Sequence, residues 1–102
     1  MALTVTVYTL LPAEEAQEIN NLIAESYPFL FETSFLIFKA RVCEGIQHEV
    51  AIEEHNIDAK SMFSIRINDK ARSDKLPQVV SIFKDYYSKG NIKLLWNGED
   101  EL

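Results

Sequence analysis

Several residue types and patterns are scarce in this 102-residue chain, and each scarcity excludes a class of protein. The one cysteine, Cys43, rules out an internal disulfide and fits a reducing compartment, so we expect a cytoplasmic protein. No apolar run approaches the roughly 18 residues that a membrane-spanning helix needs. No basic stretch precedes the first apolar residues, which argues against a signal peptide. We therefore expect no contact with a membrane.

Catalytic and ligand-binding patterns are also missing. The three glycines are isolated, so no glycine-rich loop is present to bind phosphates, and no serine lies in a Gly-x-Ser-x-Gly turn. His48 and His55 have acidic neighbours, but along a strand they would lie about 20 Å apart, too far for one metal ion. We predict no enzyme activity, no cofactor and no metal site. The opposite hypothesis, a small enzyme or metal binder that uses His48, His55 or Cys43, ranks below the two non-enzymatic hypotheses given at the end of this subsection.

The composition is that of one globular domain, with 47% hydrophobic and 25% charged residues. We assign residues 1–98 to this domain and residues 99–102 to an acidic tail, which we expect to be mobile.

The spacing of apolar residues predicts the element order β-α-β-β-β-α-β. Alternating apolar residues indicate strands at 2–10, 33–43, 46–53, 61–67 and 92–96. Apolar residues at helical spacing indicate helices from 12 to 26 and from 73 or 74 to about 89. This order predicts an α+β, two-layer ferredoxin-like sandwich with one additional strand, a mostly antiparallel sheet and both helices on one face. Alternatively, residues 46–60 form an irregular arm, which leaves the plain order β-α-β-β-α-β.

The stretch from Thr33 to Cys43 is predicted to be the central strand, because it is rich in β-branched and aromatic residues and lacks glycine and proline. Its alternation predicts a core side formed by Leu36, Phe38, Ala40 and Val42. The opposite side would then carry Phe35, Ile37, Lys39 and Arg41. Truncation of Phe38 is accordingly expected to destabilise the fold more than truncation of Phe35.

The uncovered sheet face is the predicted functional surface, because it combines apolar and cationic side chains. The predicted partner-binding residues are Tyr8, Phe35, Ile37, Lys39, Arg41 and Arg66. We expect a protein-interaction or regulatory module that binds a protein partner or a second copy of itself through this face. The net charge of −6 disfavours binding of nucleic acid.

The charge distribution supports a second interpretation. Through Asp58 the chain has ten acidic residues and two basic ones, whereas the remainder has eight basic and six acidic residues. The two parts could neutralise each other in the fold. Alternatively, the first helix (Glu14, Glu15, Glu18, Glu25) and segment 44–58 bind a basic partner. The protein would then be an acidic inhibitor or immunity-type protein, possibly a mimic of nucleic acid.

Overall fold

The computed structural model describes residues 3–31, 34–68, 74–88, 90–97 and 99–102. In chain order its elements are β1 (Leu3–Thr9), α1 (Ala13–Ser26), α2 (Pro28–Phe31), β2 (Phe35–Ile37), β3 (Arg41–Val42), α3 (Ile46–His55), β4 (Ser61–Ile67), α4 (Leu76–Tyr87), β5 (Ile92–Trp96) and β6 (Asp100–Glu101). Within the described residues all strands belong to one antiparallel sheet, in the order β2-β4-β1-β5-β6, and β3 also pairs with β4.

The topology is the split βαβ arrangement that the sequence predicts. Strands β1 and β2 run parallel to each other because both pair antiparallel with β4, which lies between them, and α1 connects them. The predicted two-layer α+β fold is therefore confirmed. Residues 46–60 lie outside the sheet, as the plain element order requires, but residues 46–55 form a helix and not an irregular arm.

Helices α1 and α4 cover one face of the sheet, as expected. The rings of Phe63 on β4 and Phe83 on α4 lie 5.7 Å apart, and Phe63 stacks on Tyr87 at 6.0 Å. Val5 on β1 and Leu94 on β5 are fully buried in the same core. Aromatic pairs at these distances add to the stability that burial of their surface provides.

Segment 46–53 was expected to be a strand, and this prediction is wrong, because residues 46–55 form helix α3. Gly45 precedes it with a φ of +63°, a conformation that favours glycine. Gln47, Ala51 and His55 follow one another at four-residue spacing, so they share one side of the helix, and this side packs on the sheet. The alternation of Ile46, Val50 and Ile52 that suggested a strand leaves Ile46 and Ile52 exposed.

The predicted continuous strand over 33–43 is also wrong, because a bulge divides it. Ile37 pairs with Ile65 and Arg41 pairs with Met62, so residues 38–40 lie opposite only two residues of β4. One extra residue reverses the alternation of side chains between the two faces. Before the bulge the odd-numbered residues face α1 and α4, whereas after it the odd-numbered residues face the opposite side of the sheet. Thr33, where the predicted strand begins, lies outside the described residues.

The inverted alternation changes the predicted core. Phe35 is fully buried, whereas Leu36 and Phe38 are 41% and 42% exposed. Ala40, the last residue of the bulge, is buried as expected. Val42 is 60% exposed, because it lies in the two-residue β3 at the sheet edge.

The acidic C-terminal residues, which the sequence predicts to form a mobile tail, lie at the edge of the sheet as a short strand. Asp100 pairs with Trp96 and Glu101 with Leu95, which adds β6 to the sheet. The backbone N–H of Leu102 donates to Leu94 O over 2.9 Å, and Lys84 Nζ donates to the Leu102 main-chain oxygen over 2.8 Å. Lys93 Nζ also lies 3.5 Å from Glu101 Oε1.

Tyr87→Phe is expected to lower the free energy of unfolding by about 1–3 kcal/mol, because it leaves buried polar atoms without a partner. The Tyr87 hydroxyl lies 2.6 Å from Asn20 Oδ1 and 3.0 Å from Ala16 O, and Asn20 is itself buried. Urea unfolding measures the effect. Tyr86→Phe is the matched control, because Tyr86 is half-buried and no hydrogen bond of its hydroxyl is found among the described residues. Equal losses for both variants would contradict the prediction.

Candidate functional site

The structure divides the six predicted partner-binding residues into two groups. Three of them are turned into the protein, namely Tyr8, Phe35 and Ile37. Their predicted exposure on an open face is wrong. The three cations Lys39, Arg41 and Arg66 are exposed. Their role in binding a partner stays a prediction.

Helix α3 covers half of the sheet face that was expected to be open. Tyr8, Met62 and Leu95 are buried beneath it. The ring of Tyr8 stacks on His55 with centroids 5.8 Å apart, and its hydroxyl donates to Gln47 Oε1 over 3.4 Å. Burial raises the pKa of Tyr8, and the neighbouring Cys43 and Glu54 act in the same direction. Because the chain covers these apolar residues with its own helix, they give no reason for a second copy to bind.

The other half of this face is uncovered, and we call it the open half-face. It consists of Leu36, Phe38, Arg41, Ser64 and Arg66. Leu36 pairs with Arg66, so the two side chains lie next to each other on the same face. Phe38 and Arg41 line a shallow depression of about 370 Å³ together with Ser64. The open half-face is therefore both apolar and cationic, as predicted, but with other apolar residues than expected.

The N-terminus of α1 and segment 44–58 meet at one end of the sheet. The backbone N–H of Lys60 donates to Thr9 O over 2.9 Å, and Ser61 Oγ donates to Leu11 O over 2.7 Å. These bonds join the chain that leaves α3 to the chain that enters α1. The exposed carboxylates at this end form what we call the acidic end: Glu14, Glu15, Glu18, Glu44, Glu49, Glu53 and Glu54.

The carboxylates of the acidic end are not neutralised by ion pairs within the described part of the chain. The two ion pairs found there are His48 with Asp58 and Lys93 with Glu101. Neither of them joins an acid of residues 1–58 to a base of the remainder. These two ion pairs therefore do not neutralise the acidic part of the chain (residues 1–58) with the basic part that follows it. The carboxylates of the acidic end remain exposed to solvent.

The histidines and Cys43 have structural contacts. His48 Nε2 donates to Asp58 Oδ1 over 2.6 Å at the surface, whereas the His55 ring stacks on Tyr8 and its carbonyl oxygen accepts a bond from Lys93 Nζ. Burial raises the pKa of the Cys43 thiol, although Arg41 acts in the opposite direction. A raised pKa leaves less thiolate, the reactive form. Across the described ranges no group of three or more histidine, cysteine or acidic residues could hold a metal ion.

Sequence reasoning missed two parts of this surface. Helix α3 had a local signal, since glutamine, alanine and three glutamates favour helix over strand in residues 46–55. The exposure of Leu36 and Phe38 had none, because it depends on the register against β4.

Fold and surface together define a small acidic α+β protein with a cluster of exposed carboxylates at one end of its sheet. None of its described helices is both long and apolar enough to span a membrane. Over residues 1–100 the chain matches the family described as "CDI System Immunity Component", and it belongs to that family.

One similar protein is "Immunity protein CdiI-2" of Burkholderia pseudomallei, which is 32% identical over 99 residues that cover 97% of each chain. A similar solved structure is the "CdiA-CT/CdiI toxin and immunity complex from Burkholderia pseudomallei". It has a TM-score of 0.91 and 31% identity, and the match covers 98% of this chain and 96% of that one. This coverage includes α3 and β6, the two elements that the plain ferredoxin-like order lacks.

Proposed function

We propose that this chain is an immunity protein that binds a CdiA-CT-type toxin and neutralises it without catalysing a reaction. Membership of the immunity family supports this function, and the similar solved structure is a complex of a toxin with an immunity protein. The observation that carries our choice of surface is the acidic end, whose carboxylates are exposed and have no ion-pair partner among the described residues. We keep the cytoplasm as the expected compartment, because the one cysteine is a free thiol.

The acidic end predicts the chemistry of the partner. Clustered carboxylates attract a surface with clustered lysines and arginines, both before and after contact. A toxin surface that binds nucleic acid has this composition, since it must neutralise phosphates. We infer that the acidic end covers such a basic surface and so keeps the toxin from its target.

Binding to the purified CdiA-CT toxin domain of the same host tests the proposed function. We expect a complex of one toxin and one immunity protein in light scattering, and a dissociation constant that rises between about 50 and 500 mM salt, because salt screens exposed charges. In an activity assay of the toxin, inhibition should be complete at one equivalent. The absence of a complex would refute the proposal. Inactivation of many toxin molecules by one immunity molecule would instead show an enzyme.

A further inference from the structure

The open half-face differs from the acidic end in composition. It exposes two large apolar side chains, Leu36 and Phe38, beside two guanidinium groups, those of Arg41 and Arg66. Interface cores are enriched in aromatic residues and arginine and depleted in glutamate, whereas interface rims are polar. By this criterion the open half-face has the composition of an interface core, and the acidic end has that of a rim.

The two surfaces are continuous. Lys39 lines the depression that contains Phe38 and Arg41, and it also lines a groove of about 430 Å³ that contains Glu14 and Glu18. The bulge places it between them, because residues 38–40 leave the strand register there. A partner that contacts the first turns of α1 therefore reaches the open half-face, on the opposite side of the sheet, around the edge at Lys39.

The energetics of a stable interface also call for both surfaces. A specific interface buries about 800 Å² on each partner, and a few buried aromatic and arginine residues provide most of its energy. Exposed charges at the edge mainly accelerate association and contribute little to the lifetime of the complex. Besides its charges, the acidic end alone would offer a partner the exposed Ile46 and Ile52 of α3, but neither the aromatic nor the arginine side chains that provide most of the energy of an interface.

We propose that the open half-face is the energetic centre of the toxin interface, with Phe38 and Leu36 as apolar anchors and Arg41 and Arg66 as bidentate donors. This inference rests on the proposed function. It predicts two adjacent regions on the toxin. One is an apolar side chain flanked by carboxylates, and this region contacts the open half-face. The other is the basic region that faces the acidic end. Charge complementarity of opposite sign at the two surfaces fixes the orientation of the partner.

The association and dissociation rates of the toxin complex test this assignment. Phe38→Ala and Arg66→Ala should each raise the dissociation rate by roughly tenfold to a hundredfold and leave the association rate near that of the wild type. Glu14→Lys should instead lower the association rate and weaken its dependence on salt. Phe29→Ala is the matched control, because Phe29 is a 64% exposed phenylalanine on α2, on the side of the sheet that α1 and α4 cover. It should bind as the wild type does.

The outcomes separate this inference from the proposed function. If the wild type binds the toxin and Phe38→Ala and Arg66→Ala dissociate at the wild-type rate, the open half-face is not part of the interface, while the proposed function stands. If the same variants instead abolish a dimer seen in light scattering without toxin, a second copy occupies this face, and the inference is equally overturned. If the wild type fails to bind, both proposals fall. Circular dichroism of each variant establishes that it is folded.

Discussion

Phe35→Ala is expected to reduce the free energy of unfolding by roughly 3–5 kcal/mol, the usual cost of removing a large buried aromatic side chain. Phe35 is fully buried between the sheet and α2, where its ring lies 6.4 Å from that of Phe31. Urea or guanidinium unfolding, followed by circular dichroism, measures the loss.

Phe38→Ala is the matched control, because it makes the same change three residues away. Phe38 is 42% exposed, so its truncation should cost about 1 kcal/mol or less. This order is the reverse of the one that the alternation of residues 33–43 predicts. A larger loss at Phe38 than at Phe35 would mean that the strand has no bulge.

Reversing the charge of the acidic end should produce the largest effect on binding. The triple change Glu14→Lys, Glu15→Lys and Glu18→Lys places three cations opposite a basic toxin surface. Opposed like charges cost several kcal/mol, which corresponds to a rise in the dissociation constant on the order of a hundredfold or more. The free protein should remain folded, because the three side chains are exposed. Isothermal titration with the toxin domain at low salt measures the change.

A triple variant with the same net charge separates location from total charge. Glu25, Asp74 and Glu99 are exposed and lie toward the other end of the sheet, after most of α1, before α4 and after β5 respectively. Replacing these three by lysine should change the dissociation constant by only a few-fold, since screening weakens charges beyond about 10 Å. Equal weakening by both triple variants would show that net charge, and not the acidic end, drives association.

The sequence was a good guide to the elements whose apolar spacing is set by local structure. β1 and α1 lie where alternation and helical spacing place them, because each buries one regular face. The exposed carboxylates of the candidate site could be predicted for a related reason. The seven glutamates of the acidic end are too costly to bury without partners, and they had to remain at the surface.

The sequence could not predict features that depend on contacts between distant segments. Nothing in residues 35–42 marks the bulge, because it is defined by the pairing of Ile37 and Arg41 with β4. Helix α3, by contrast, had a local signal in its composition, and it was mistaken for a strand because its alternating apolar residues suit a strand as well. Only the small Ala51 of this helix is fully buried against the sheet. The location of the open half-face depends on both features, since α3 covers one half and the bulge exposes the other.

The bulge also has a consequence for solubility. An edge strand with exposed apolar side chains is an open template on which further chains can add strands and aggregate. Here the edge is divided into β2 and β3, of three and two residues, and the interrupted stretch directs the Ala40 N–H to Gln17 Oε1 of α1 over 2.8 Å. Another chain therefore meets no continuous row of backbone groups to pair with. The protein can keep Leu36 and Phe38 at its surface without offering a strand on which fibrils could grow.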